Sequence, residues 1–220
     1  MPAPEQLAIL RDADLYVVIT EAFCANRSPM LILDAILEAG VRLVQLREKN
    51  LSDADLFERA MAFRAHTRQY GALLIIDDRV DIALACGADG VHLGTSDLPI
   101  TAAVRIAPGL IIGASSHNLQ EALKAQAVGA SYVNIGPIFT TQTKDVPTGA
   151  VGPLMLDQIT PRLYIPWTTM GGIKSSNIHE VLQHGARRIA VVTAVTAAPD
   201  PFNAARELRG MINAYPRGKA

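Results

Sequence analysis

Gln45, Arg47 and Lys49 alternate along the stretch VQLREKN, which reads as the end of a β-strand. Alternate residues of a strand share a face. An amide, a guanidinium and an ammonium would then aim at one point in space, a set suited to a bound anion. Similar groups recur along the chain. Asp77, Asp78 and Arg79 follow LLII; Thr95, Ser96 and Asp97 follow GVHL; Ser115, Ser116 and His117 follow LIIGA. YVNI runs into the long polar stretch GPIFTTQTKDVPTGAVG, and two later runs end in MGGI and VVTAV.

The elements that must position these groups are short apolar runs alternating with longer amphipathic stretches. Strands are expected at 15–19, 42–46, 72–76, 90–93, 110–114, 132–135, 164–170 and 188–192. Helices are expected near 29–39, 52–69, 79–86, 99–106, 118–128, 153–160, 175–184 and 201–213. Ser52 followed by Asp55 resembles an N-cap, and Gly40, Gly71, Gly87, Gly129 and Gly185 each follow a helix as C-cap candidates. Strand–helix alternation implies parallel βαβ crossovers. About eight such units of about 25 residues predict an α/β fold, a (β/α)8 TIM barrel. A doubly wound open sheet, which usually needs fewer strands, is the alternative. No linker divides the chain, so residues 1–220 are expected to form a single domain with its barrel core at about 14–214.

Composition narrows the function classes. Of 220 residues, 50% are hydrophobic and 19% charged, which suits a well-filled globular core. Mean hydropathy is +0.21, yet no apolar run reaches the roughly 18 residues of a membrane span. Buried parallel strands account for that excess. The net charge of −1 and the lack of a basic stripe give nucleic acid no footing. The stretch MPAPEQLAIL has no positive region before an apolar core, so no secretory signal is expected. Cys24 and Cys86 stand far apart and form no zinc or disulfide pattern; they read as buried packing residues in a cytoplasmic protein.

In a barrel of this kind the active site lies at the C-terminal ends of the strands, where the polar groups fall. Each has a plain structural alternative. Arg47 and Lys49 could be a solvated strand end; Asp78 and Arg79 could cap the next helix. Asp97 could cap the helix opening at Pro99, and Ser115 or Ser116 the one after. His117 could merely open a helix, and Gly171-Gly172 could be a tight turn. Their joint occurrence on one rim favours a site. Gly171, Gly172 and Thr193 offer bare N–H groups after strands 7 and 8, a common phosphate cradle. Gln45, Arg47 and Lys49, with Thr141, Thr143 and Lys144, form a second, more positive anion site. Asp78 and Asp97 are hard carboxylates that suit Mg2+, which completes its shell with phosphate and water. Two phosphorylated small-molecule substrates follow, one of them a diphosphate. No GxSxG elbow, P-loop or paired histidines compete with this reading. Lys144 as a Schiff-base lysine is disfavoured by its place in a loop.

These motifs, in this order, resemble thiamine phosphate synthase from about Tyr16 to Thr196. VQLREKN, LIIDDRVDIALACGADGVHLGTSDLP, IIGASSHN, GASYVNIGPIFTTQTK, TMGGI and AVVTAV carry the resemblance. It implies an enzyme, a transferase that condenses hydroxymethylpyrimidine diphosphate with a thiazole phosphate. Pyrophosphate is released by a Mg2+-dependent, dissociative route. Gln45, Arg47 and Lys49 would hold the diphosphate, with Asp77 beside them, and Asp78 and Asp97 the metal. Ser115 would lie near the pyrimidine and diphosphate. Thr141, Thr143, Gly172, Val192 and Thr193 would meet the thiazole phosphate, and Lys144 the diphosphate. Arg47, Lys49, Ser115 and Lys144 would carry the catalysis. Two positions depart from the family pattern: Asp77 stands where Asn is usual, and Thr95 where Gln is usual. The rivals are a thiazole tautomerase using His117, and a non-catalytic phosphate-binding barrel. Neither nucleic acid nor membrane is an expected partner; a homo-oligomer is compatible with everything above.

Overall fold

A computed structural model of the protein describes residues 1–143 and 149–216. Among these residues eight parallel strands close into a barrel in sequence order. They are β1 Leu15–Ile19, β2 Leu43–Leu46, β3 Leu73–Asp77, β4 Gly90–Leu93, β5 Ile111–Ser116, β6 Tyr132–Ile135, β7 Trp167–Met170 and β8 Ile189–Val191. β8 pairs back onto β1, with Leu15 opposite Ile189 and Val17 opposite Val191. The helices are α1 Pro4–Asp12, α2 Pro29–Glu38, α3 Asp53–Gln69, α4 Val80–Ala85, α5 Ile100–Ile106, α6 Leu119–Ala127, α7 Leu154–Ile159, α8 Ile178–Gln183, α9 Thr193–Thr196 and α10 Pro201–Ala214.

The strands alternate between two cores because successive side chains point to opposite faces. Leu15, Val17 and Ile19 pack outward with the helices, whereas Tyr16 joins Leu43, Leu73, Ile75, Ile111 and Tyr132 inside the barrel. The inward positions grow polar toward the strand C-termini: Leu43 gives way to Gln45, Ile75 to Asp77, and Ile111, through Gly113, to Ser115. One end of the barrel is sealed and the other is equipped for chemistry.

Helix signals act as expected at several ends. The Ser52 hydroxyl accepts from the Asp55 N–H at 3.1 Å and opens α3. Gly40, Gly71, Gly87, Gly129 and Gly185 all have positive φ, the left-handed geometry that ends helices. Three features differ from expectation. β7 begins at Trp167 rather than at 164, since Tyr164 is exposed and Pro166 has no N–H to pair. The N-terminal stretch forms α1, whose Leu10 is fully buried in the interior core. Thr193 opens the single-turn α9, a helix outside those expected from the sequence. The two cysteines are free and buried, as packing residues should be, and burial pushes the Cys24 thiol up to about 11.

Gly113 shows how tightly the interior is filled. A Cβ there would run into the Tyr132 ring. Gly113→Ala is expected to cost about 1–3 kcal/mol through overpacking. Gly109→Ala, which meets nothing within 4 Å, is the control. Urea unfolding of both variants checks this, and equal midpoints would refute it.

Candidate active site

A cavity of about 530 Å3 opens at the C-terminal ends of the strands. Its wall includes Gln45, Arg47, Asp77, Ser115, Thr141, Thr143, Gly172, Val192 and Thr193. Nine of the residues singled out in the sequence are thus brought to one mouth. Lys49, Asp78 and Asp97 stand beside the Asp77 flank of that wall, linked to it by ion pairs and by one another. Lys144 lies outside the described residues.

Arg47 and Lys49 do converge, and their meeting point is a carboxylate of this chain. Arg47 Nε is 3.5 Å and Lys49 Nζ 2.6 Å from Asp77 Oδ2. Lys49 also bonds the Asp78 carboxylate. Adjacent strand residues would normally face opposite ways. Asp78 escapes this through a left-handed backbone, φ 59°, held by its N–H donating to the His92 carbonyl at 2.9 Å. Burial opposes the charge on Lys49, but Asp77 and Asp78 outweigh it and hold the ammonium pKa above its ordinary value. Asp78 and Asp97, which lack an obvious basic partner in sequence, therefore differ: Asp78 has Lys49.

Asp97 does not cap the following helix. Its Oδ2 accepts from the Gly94 N–H at 2.7 Å, closing a turn, and α5 starts later, at Ile100. Burial raises its pKa, and the neighbouring Asp78 carboxylate raises it further, because two like charges resist ionising side by side. Two carboxyls crowded together in this way suit a hard divalent cation. Among the described residues no three His, Cys, Asp or Glu side chains gather as a metal site. A pair of carboxylates beside phosphate oxygens is the usual provision for Mg2+, so the donor set fits that ion.

The opposite side of the cavity is built from backbone. Gly171 and Gly172 have φ of 105° and 63°. A Cβ on Gly172 would collide with the Thr140 carbonyl and with Phe139, so no other residue fits. Asn177 braces this loop, donating from Nδ2 to the Gly172 carbonyl at 3.0 Å and accepting from the Lys174 N–H at 2.8 Å. The chain after β6 zips onto it, with Ile138 N–H donating to Met170 O at 2.8 Å and Phe139 N–H to Gly171 O at 3.0 Å. These bonds carry Thr141 and Thr143, whose hydroxyls are 3.0 Å apart, toward Gly172. The residue types alone grouped both threonines with Arg47; the backbone pairing groups them with the glycine cradle.

Ser115 ends an inward row of β5 rather than capping α6, a task performed by Asn118, whose side chain accepts from the Glu121 N–H at 2.9 Å. His117 lines the cavity with Nδ1 held 2.9 Å from Glu121 Oε2. Gln45 is only 4% exposed, and its Nε2 donates to the Tyr16 hydroxyl at 2.6 Å.

Sequence reasoning missed His92 and Asn134, which also line the cavity. Both were read as ordinary strand residues in GVHL and YVNI. Their signal was a polar residue interrupting an otherwise apolar parallel strand, at the position that faces inward.

The sequence profile described as thiamine monophosphate synthase matches residues 15–195. A thiamine-phosphate synthase of Chloroflexus aurantiacus is 42% identical over 207 residues, covering 94% of this chain and 96% of its own. One from Lawsonia intracellularis is 40% identical over 202 residues, covering 91% and 93%. The solved structure of a thiamine phosphate pyrophosphorylase from Pyrococcus furiosus superposes with a TM-score of 0.87 at 38% identity, covering 93% of this chain and 98% of that one. With a glycine loop and an acid–base cluster facing across one barrel mouth, and with matches of this extent, the chain belongs to the thiamine monophosphate synthase family.

Proposed function

We infer that this protein is a transferase that joins hydroxymethylpyrimidine diphosphate to a thiazole phosphate, yielding thiamine phosphate and pyrophosphate. The observation that carries the reading is the pairing of two unlike anion sites across one cavity, in a chain of this family. Thiazole phosphate takes the cradle of Gly172, Val192 and Thr193, with Thr141 and Thr143 closing over it. The diphosphate takes the flank of Arg47 and Lys49, with Ser115 beneath it and Lys144 as a further cation.

The C–O bond between the pyrimidine methylene and the diphosphate breaks, and both electrons leave with pyrophosphate. The thiazole nitrogen lone pair then forms the new C–N bond. Charge grows on the leaving oxygen, so fixed cations at that flank lower the barrier. Arg47 and Lys49 provide them, already oriented by Asp77. Asp78 and Asp97 would hold Mg2+, which supplies further neutralisation of the departing pyrophosphate. Holding both reactants in one closed mouth contributes orientation as well. No side chain has to act as a nucleophile. Asp77 occupies the place where a second anion would bind, and its two ion pairs must be shared with the diphosphate. We take residues 1–220 to work as one domain in the cytoplasm, with the barrel core at about 14–214; among the described residues no helix is long and apolar enough to cross a membrane.

The test is mass-spectrometric detection of thiamine phosphate from both substrates, with Mg2+ and then with EDTA. Product that depends on Mg2+ is expected. Binding of thiazole phosphate without product would sink the transferase reading and point to tautomerisation or to a binding protein.

A further inference from the structure

Beneath the cavity a row of buried polar side chains crosses the barrel from β2 to β5. Gln45 Nε2 donates to Tyr16 Oη at 2.6 Å, and Tyr16 Oη lies 3.0 Å from Tyr132 Oη. Tyr132 Oη lies 3.0 Å from His92 Nδ1, and His92 Nε2 lies 2.9 Å from Ser115 Oγ. Partners in this row are up to 116 residues apart in sequence. The Tyr16 and Tyr132 rings meet edge to face at 6.2 Å, and His92 lies tilted over Tyr132 at 5.6 Å.

We propose that this row has a single direction: Tyr132 donates to His92 Nδ1, His92 carries its proton on Nε2, and Ser115 is left to donate its own proton into the cavity. Each phenol has one proton to give. Tyr16 receives from the Gln45 amide and so gives to Tyr132. Tyr132 then gives to Nδ1, and a neutral imidazole accepting at Nδ1 donates at Nε2. Ser115 Oγ accepts there, and its O–H is directed to whatever fills the site. Burial raises the pKa of both phenols, with Tyr16 further opposed by the nearby Tyr132 and Asp77, so they remain proton donors. The substrate atom that Ser115 meets must therefore be a hydrogen-bond acceptor, a ring nitrogen or a phosphate oxygen, and a ligand presenting an N–H there is rejected. Tyr132 and His92 are positioning residues. Only the identity of the acceptor rests on the function proposed above.

The experiment is 15N NMR of the imidazoles in the full-length protein at neutral pH, with His92 assigned by the signal lost in His92→Gln. The expected result is a neutral His92 protonated at Nε2 alone. In Tyr132→Phe this single tautomer gives way to a mixture, and KM for the pyrimidine diphosphate rises about fivefold to tenfold while KM for thiazole phosphate is unchanged. A proton on Nδ1 of the unaltered protein, alone or alongside one on Nε2, overturns the proposal. So does a Tyr132→Phe variant with the tautomer intact. The tautomer in the unaltered protein is read without turnover, so a failed synthase assay would leave this result standing.

Discussion

Asp97→Ala is expected to lower Mg2+-dependent turnover by roughly 10²–10³-fold, the effect of removing one group that stabilises the transition state electrostatically. Asp97 is one of two crowded carboxyls, and the other, Asp78, is already engaged by Lys49. With Asp97 gone, a metal ion at this flank faces one carboxylate and a competing ammonium. The cradle at Gly172 lies across the cavity and is built from backbone, so thiazole phosphate should bind unchanged by calorimetry. Asp97 also accepts from the Gly94 N–H, so loss of the turn could mimic loss of the ion. Asp97→Asn separates the two, because the amide oxygen keeps that bond while the charge is lost. Both variants should fail to gain thermal stability from Mg2+ where the unaltered protein gains it. Undiminished turnover in Asp97→Ala would remove Asp97 from the metal site.

Asp89→Ala is expected to reduce folding stability by about 3–5 kcal/mol, the usual result of stripping one partner from a buried ion pair. Asp89 is 4% exposed immediately before β4, far from the chemistry. Arg64 Nη1 donates to it at 2.6 Å, the buried Leu74 N–H at 2.8 Å, and Gln6 Nε2 at 2.8 Å. One carboxylate thus ties α3, β3 and the plug helix α1 to the closed end of the barrel. Alanine would leave a partly buried guanidinium and a buried backbone N–H without their acceptor. A domain of this kind has only about 5–15 kcal/mol in total, so the midpoint in urea should fall sharply. Turnover measured well below the new unfolding temperature should stay normal, because nothing in the cavity touches Asp89. A midpoint within experimental error of the unaltered protein would refute this account of the closed end.

The division between what could be read and what could not follows from the range of the forces involved. The eight strands were legible because parallel strands buried on both faces are continuous apolar runs, as in LYVVI and LLII. The rim was legible because a polar group directly after such a run can only sit at the strand's C-terminal end. Helix ends were legible where a local bond sets them, as at Ser52, or where a left-handed turn demands glycine. The helix α1 was not, because its nine residues are weakly amphipathic and its burial comes from the closed end of the barrel, which exists only once the sheet closes.

The amino-acid sequence by itself determined the barrel, the rim and most of the chemical groups placed there, since each depends on neighbours in the chain or on a period of two. Tertiary structure alone decided whom those groups face. It turned Gln45 toward Tyr16, gave Arg47 and Lys49 to Asp77, and joined Tyr132 to His92 and Ser115. Those partnerships are set by the register between strands and by closure of β8 on β1, and hydrogen bonds require their partners within about 3 Å. A pattern of residue types fixes which way a side chain points; only the closed barrel fixes what it meets.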